Sequence, residues 1–432
     1  MRASRCTSPL LGLCAAIALV LVPVLAPAQQ LRGHGGPVRA VAILADGQWA
    51  VTGSFDQSVI VWRTGAGTAE AVLRFHDGSV NTVLALADGR FASAGEDSRI
   101  AIWRVGRTEP EQVIEGHAGP IVALAQSPDG RLIGSASWDG TARLSPLAGG
   151  AARVLIGHSG NVNGIAFLAD GTAVTSAYDA TLRFWPADGT AARVVTLPAV
   201  LNAVVAAPDG EVAVAGGDGQ LRFVGSDGRI RAELEIAPTP LVALAITADG
   251  SALAAGGIRG NVAIIERSSR TVRANLVGPG LPVWSLAFTP DGNELLSGGA
   301  DRLVRRWNAR TGEHIGEVVP RSEADPLAAF RGERGAEVFR ACAACHTLTA
   351  DGGNRAGPTL HGIFGRRIAT AHGYNFSPAL KGMDIVWSGE TIARLFEIGP
   401  NAYTPGTKMP EQVITSADDR KALVEWLEKV TR

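Results

Sequence analysis

Two cysteines and a histidine stand together in "EVFRACAACHTLT", residues 337–349: Cys342, Cys345 and His346. Cysteines at this spacing hold zinc, shuttle a disulfide, or fix haem covalently. A zinc site wants four ligands, and the other two cysteines, Cys6 and Cys14, lie in an N-terminal stretch marked for removal. A thioredoxin-like pair opens a helix after a strand in a βαβ unit, and no such unit surrounds this one. Cys-x-x-Cys-His with nothing else is the pattern for haem attached covalently, a modification made outside the cytoplasm.

The N-terminus agrees with that location. Arg2 and Arg5 precede an apolar run over residues 10–22, and Ala26-Pro27-Ala28 offers small residues for cleavage. Residues 1–28 are therefore expected to be a signal peptide and the mature chain to be periplasmic, with no integral membrane span. The competing reading is an uncleaved anchor, against which Pro23 and Pro27 argue. A lipoprotein is disfavoured because Leu13, not a small residue, precedes Cys14. Charge is nearly balanced, 40 basic residues against 41 acidic, so nothing points to nucleic acid as a partner. Residues 327–432 hold 13 Lys/Arg against 11 acids and all four lysines, whereas residues 29–326 hold 25 Arg against 30 acids. The chain is long enough for two cores or more.

The elements ahead of the cysteines repeat. Trp62, Trp103, Ser145, Trp185, Val224, Ile265 and Trp307 occupy one position in seven units, 39 to 42 residues apart. Six residues before each stand Asp56, Asp97, Asp139, Asp179, Asp218, Arg259 and Asp301, and four before those Thr52, Ser93, Ser135, Thr175, Val214, Ala255 and Ser297. Four units add a histidine upstream: His34, His76, His117 and His158. Between these markers run short β-type segments such as "IVALAQSPDG", each closed by Asp-Gly, a hairpin signal. Four short strands per unit of this period describe propeller blades. Residues 29–319 thus resemble a seven-bladed WD-repeat β-propeller, in which the resemblance implies a buried His, Ser/Thr, Asp and Trp chain in each blade. The histidines are read as structural rather than as metal or haem ligands, because they recur with partners at fixed offsets. Either residues 29–32 or 314–319 could supply the outer strand of blade seven; the second is longer and alternates better, and is expected there.

After a linker over residues 320–330 the period becomes helical. From Gly335 it places Val338, Cys342, Cys345 and His346 near one face. A last helix is expected from Ser416 to Val430, capped by "SADD", with Ala422, Leu423, Trp426, Leu427 and Val430 as its apolar stripe. Residues 331–432 resemble the class I cytochromes c of mitochondria and bacterial cytochrome c2-type carriers, through "CAACH", "GPTLHGIFGRR", "GYNFSPAL", "IVW" and "YTPGTKMP" in the family's order. The resemblance implies an all-α domain carrying one haem c. It makes Cys342 and Cys345 the thioether attachments and His346 and Met409 the axial iron ligands. It further implies that Pro358 accepts from the proximal ring, and that Arg366, Trp387 and Thr407 bond the propionates. His361 and His372 are expected on exposed loops. Phe396 and Phe376 stand where the family usually has tyrosine, and with Glu411 and few lysines the basic ring of mitochondrial cytochromes is thinned.

The expectation is a two-domain electron-transfer protein with no catalytic residue assigned, whose propeller docks redox partner proteins. Its rivals are an oxidoreductase with a substrate or second-cofactor site in the propeller, and a haem-based sensor in which Met409 leaves the iron. Against the first, no cysteine lies between residues 15 and 341, so the vicinal pair common in quinoprotein alcohol dehydrogenases is missing.

Overall fold

The computed structural model describes residues 30–276, 278, 281–316, 327–340, 342–344, 346–350, 357–372, 374, 376, 378–404, 407, 409 and 413–432. The signal segment, most of the linker and Cys345 lie outside them.

The repeat folds as seven four-stranded antiparallel sheets. Blade one shows the rule with strands Val38–Ile43, Trp49–Ser54, Val59–Arg63 and Thr68–Leu73. Its second and third strands are buried on nearly every residue, while the fourth is exposed along most of its length. The middle strands are covered on both faces by neighbouring blades, which is why they read as unbroken small and apolar runs. Asp46 accepts from the Gln48 N–H at 2.9 Å, and Gly47 takes φ +67°, so the Asp-Gly pair makes the hairpin its composition announces.

The ring closes differently from the sequence expectation. Leu31–Arg32 is the outer strand of blade seven, pairing Leu31 with Val304 and Arg32 with Leu303. His314 forms a single bridge to Trp307, and residues 317–319 lie outside the described residues. The physical reason is connectivity. His34 must reach Asp56 and Thr52 of blade one, which draws residues 30–33 alongside blade seven. Leu31 is then buried with Ile60, Trp62 and Val304.

The second domain has α1 (Arg334–Phe339), α2 (Pro378–Lys381), α3 (Gly389–Ile398), α4 (Pro400–Tyr403) and α5 (Ala417–Val430), and α1, α3, α4 and α5 pack around one core. α5 starts where expected, with Ser416 Oγ accepting from the Asp419 N–H, and buries Leu423, Trp426 and Leu427. A side chain at Gly335 would place its Cβ 2.2 Å from Trp426 Cβ, so α1 and α5 meet only because residue 335 lacks one. Two details depart from the sequence reading. α1 stops at Phe339 and the chain turns through a 3₁₀ segment, Cys342–Ala344, so one continuous helix face does not carry the cysteine region. Leu327 and Phe330, assigned to the linker, pack into this core, Phe330 edge-on against Trp426. Among the described residues no helix is long and apolar enough to cross a membrane.

Candidate functional site

The buried polar chains of the propeller decide whether its histidines are free for chemistry. In blade one His34 Nδ1 donates to Asp56 at 2.9 Å, Nε2 accepts from Thr52 at 2.7 Å, and Trp62 Nε1 donates to Thr52 at 2.8 Å. Blades two and four repeat this with His76, Asp97, Ser93 and Trp103, and with His158, Asp179, Thr175 and Trp185. Blade three keeps His117, Asp139 and Ser135, with Ser145 in place of the tryptophan. Burial would raise the carboxyls of Asp97, Asp139 and Asp179, but hydrogen bonds from the histidines and neighbouring donors hold them at about 2. Burial pushes His117 and His158 down, against the opposing pull of their aspartates. Both ring nitrogens of all four histidines are thus engaged, and they are structural.

The second domain holds a different arrangement, a cavity of about 1240 Å³ counted to its mouth. Cys342, His346, Pro358, Arg366, Trp387, Thr407 and Met409 all line it, so every described site candidate meets in one place; Cys345 lies outside the described residues. The wall is otherwise mainly apolar, with Phe339, Leu360, Ile363, Leu395, Phe396 and Leu427 among its members.

His346 is held tightly. Its Nδ1 donates to the Pro358 carbonyl at 2.7 Å, leaving Nε2 as the lone-pair nitrogen. Burial lowers its pKa, opposed by the Pro358 bond, so the neutral ring that a metal needs is favoured. A Cβ at Gly357 would lie 2.3 Å from His346 Cε1, so the backbone here presses directly on the imidazole. Met409 packs at the edge of the core, its N–H donating to Thr407 Oγ1 at 3.2 Å. Cys342 is buried.

The propionate candidates differ in their freedom. Arg366 gives its guanidinium to the carbonyls of Thr359 at 2.8 Å and His361 at 3.1 Å, and burial lowers its pKa. It therefore braces the loop that follows Pro358 as well as lining the cavity. Trp387 is half-buried in the wall, and its backbone pairs with Arg366 at 3.0 Å. His372 is exposed, as expected, whereas His361 is only half-exposed. Sequence reasoning missed the participation of the propeller: Asp56 stands in the cavity wall, and the Arg74 guanidinium lies 4.7 Å from the Tyr374 ring centroid.

The donor set decides what this cavity fits. It offers one imidazole nitrogen and one thioether sulfur, and among the described residues no group of three or more His, Cys, Asp or Glu could hold a bare ion. A metal seated here must bring its remaining ligands with it. A flat, largely apolar macrocycle carrying iron does so, and a mainly apolar cavity suits one.

Comparison with known proteins agrees. The family model "Cytochrome c" matches residues 332–431, and "WD domain, G-beta repeat" matches residues 25–63, 67–104, 108–144, 149–186 and 270–308. Cytochrome c of Gibberella zeae is 40% identical over 101 residues, covering 23% of this chain and 94% of that protein. Cytochrome c of Cochliobolus lunatus is 41% identical over 101 residues, 23% of this chain and 93% of that protein. Cytochrome c of Arabidopsis thaliana is 41% identical over 101 residues, 23% of this chain and 89% of that protein.

Proposed function

Because the chain belongs to the cytochrome c family through residues 332–431, we propose that it is an exported, periplasmic carrier of single electrons. Cys342 and Cys345 would tether one haem by thioether bonds, and His346 and Met409 would hold its iron. The observation that carries it is the meeting of Cys342, His346 and Met409 in one mainly apolar cavity, with the far nitrogen of His346 fixed by Pro358.

Haem c supplies an iron centre that gains and loses one electron. The protein's part is to hold that centre still. Pro358 fixes the orientation of His346 and strengthens it as a donor. The soft thioether of Met409 would hold the iron together with His346 and favour its ferrous state, which would turn the site toward outer-sphere transfer and away from oxygen chemistry. Phe339, Leu395 and Phe396 keep water from the cavity, lowering the reorganisation that accompanies each change of charge. Trp387 and Thr407 are the groups proposed to bond the propionates, with Arg366 contributing positive charge beside them while it braces its loop.

The propeller is proposed to dock a redox partner protein beside the haem. Asp56 in the cavity wall and Arg74 against Tyr374 support this, since they bring blade one to the cavity. The test is mass spectrometry of the mature full chain after acid denaturation, with the expectation of one haem retained per chain and an N-terminus at Gln29. Haem lost on denaturation refutes the thioether tether. Met409→Ala should abolish the near-infrared band of a sulfur-to-ferric-iron bond, and its survival refutes Met409 as ligand.

A further inference from the structure

The propeller has a second cavity, its central channel, of about 1790 Å³ counted to its mouths. Every blade contributes its inner strand, and each inner strand carries a bulge at its second residue. A bulge frees the local backbone and re-aims one side chain. The bulged positions form a ring around the channel: Arg39, Asn81, Val122, Asn163, Asn202, Val242 and Trp284.

The polar members of this ring fall into two groups. The three asparagines are occupied in holding blades together. Asn81, Asn163 and Asn202 each donate through Nδ2 to the first carbonyl of the next inner strand, at 3.3, 2.8 and 2.7 Å. Asn163 also accepts from Trp138 Nε1 at 3.0 Å. Arg39 and Trp284, neighbours across the junction of blades one and seven, have no such work. The Arg39 guanidinium lies 4.9 Å from the Trp284 ring centroid and makes no hydrogen bond or ion pair with any described residue. The buried Trp284 Nε1 has no acceptor either. Burial lowers the Arg39 pKa, opposed by Tyr178 and Glu96. Glu96 itself is turned to the Ser79 N–H at 3.2 Å.

A buried donor without a partner is costly, and Trp284 Nε1 is one; Arg39 is half-buried and lines the channel with its charge unpaired. Among the described residues lining the channel Arg39 is the one ionised side chain, and Glu96 acts on it from beyond the wall. Above the ring stand Phe55, Trp138 and Tyr178, which are 37%, 42% and 47% exposed and line the same cavity. One cation, seated against the Trp284 ring, and three aromatic side chains therefore line one cavity.

We propose that this cavity binds a carboxylate attached to an apolar or aromatic body. The carboxylate accepts from the Arg39 guanidinium, and the body lies against Phe55, Trp138 and Tyr178. Such a group comes either from a free organic acid or from the C-terminal residue of a polypeptide, and both present the same chemistry to Arg39. The site goes beyond the electron-transfer reading, whose haem cavity is lined by other residues.

The experiment is calorimetric titration of the full haem-loaded chain with two matched pairs. One pair is phenylacetate and phenylacetamide; the other is a hexapeptide ending in phenylalanine and the same peptide amidated. The acid member of at least one pair should bind about tenfold or more tighter than its amide, and the pair that shows the difference identifies the source. Arg39→Gln should abolish the difference, while Arg39→Lys retains part of it, and both should leave the haem spectrum unchanged. Equal binding of acid and amide in both pairs, or no heat from either acid at millimolar concentration, overturns the proposal. That comparison is made on the unaltered chain, so it holds even if an Arg39 variant folds poorly.

Discussion

Replacing Gly357 by alanine tests how the proximal histidine is held. The added Cβ would lie 2.3 Å from Cε1, 2.7 Å from Nδ1 and 2.8 Å from Nε2 of His346. Ordinary van der Waals contact begins at 3.4 Å, so the ring or the backbone must withdraw by roughly 1 Å. Withdrawal of the ring stretches the 2.7 Å bond from Nδ1 to the Pro358 carbonyl. Overpacking of this kind costs about 1–3 kcal/mol, and loss of the hydrogen bond adds about 0.5–1.5 kcal/mol. The domain should therefore lose about 2–4 kcal/mol of stability, and its midpoint potential should shift because His346 no longer has a fixed orientation. Denaturant unfolding of the full chain, followed through the haem absorbance, reads the first effect and voltammetry the second. Gly362→Ala is the control. It meets no atom within 4 Å but sits at φ +64°, so it should cost only the strain of a left-handed alanine, about 1 kcal/mol, with an unchanged potential. If Gly357→Ala behaves like the control in both assays, Gly357 does not press on His346 and the geometry argued here is wrong.

Thr52→Val should destabilise the propeller by about 2–5 kcal/mol in urea, since it leaves His34 Nε2 and Trp62 Nε1 buried without a partner. Ser135→Ala, in the blade without the tryptophan, should cost roughly half as much. The propeller should also lose stability on acidification in two stages. His117 and His158 are held neutral by burial, so their contribution is complete above the ordinary histidine value and declines as pH falls below it toward their lowered values. Asp97, Asp139 and Asp179, held at about 2, contribute fully above the ordinary carboxylate range and lose that contribution as pH falls through about 2. A propeller melting temperature unchanged from pH 7 to pH 2 would contradict both stages. Phe396 lines the haem cavity and packs in the same core as Met409. Phe396→Tyr adds a hydroxyl able to donate to the thioether sulfur, which weakens its hold on ferric iron, so the midpoint potential should rise; an unchanged or lower value shows that Phe396 does not face the sulfur.

What the sequence made legible was whatever recurs or whatever a motif fixes locally. The His, Thr/Ser, Asp and Trp offsets are set by hairpin length, so counting residues located the buried chains of blades one to four. The described members of the cavity were legible through short motifs whose spacing reflects ligand geometry. Closure was misread because length and alternation were weighed instead of connectivity. In blades one to three an outer strand runs just ahead of the next unit's histidine, and Leu31–Arg32 stands in that place before His34. The helix break ahead of Cys342 was hidden because Val338, Cys342 and His346 keep helical spacing through a 3₁₀ turn. Arg39 and Trp284 left no signal at all. They are far apart in the chain, and only closure of the ring brings them together.

The decay of the repeat in later blades shows which part of the pattern carries the fold. Blade five has no histidine, yet Asp218 keeps a partner: Arg222, almost fully buried, reaches it at 2.5 Å. Arg305 and Asp301 pair in the same way in blade seven, where Trp307 still donates to Ser297 at 2.8 Å. In both blades an arginine on the third strand takes over the aspartate that the histidine holds elsewhere. Blade six has gone further, with Arg259 at the aspartate position and Asn261 buried without a partner for its side chain among the described residues. It nevertheless forms four strands, because Leu253, Ala255, Ile264 and Ile265 bury the same apolar faces as their counterparts in the other blades. The WD-repeat model passes over blade five and most of blade six, although their backbones keep the pattern of the rest. Burial of the middle strands is thus what makes a blade, and the polar chain is an additional tie.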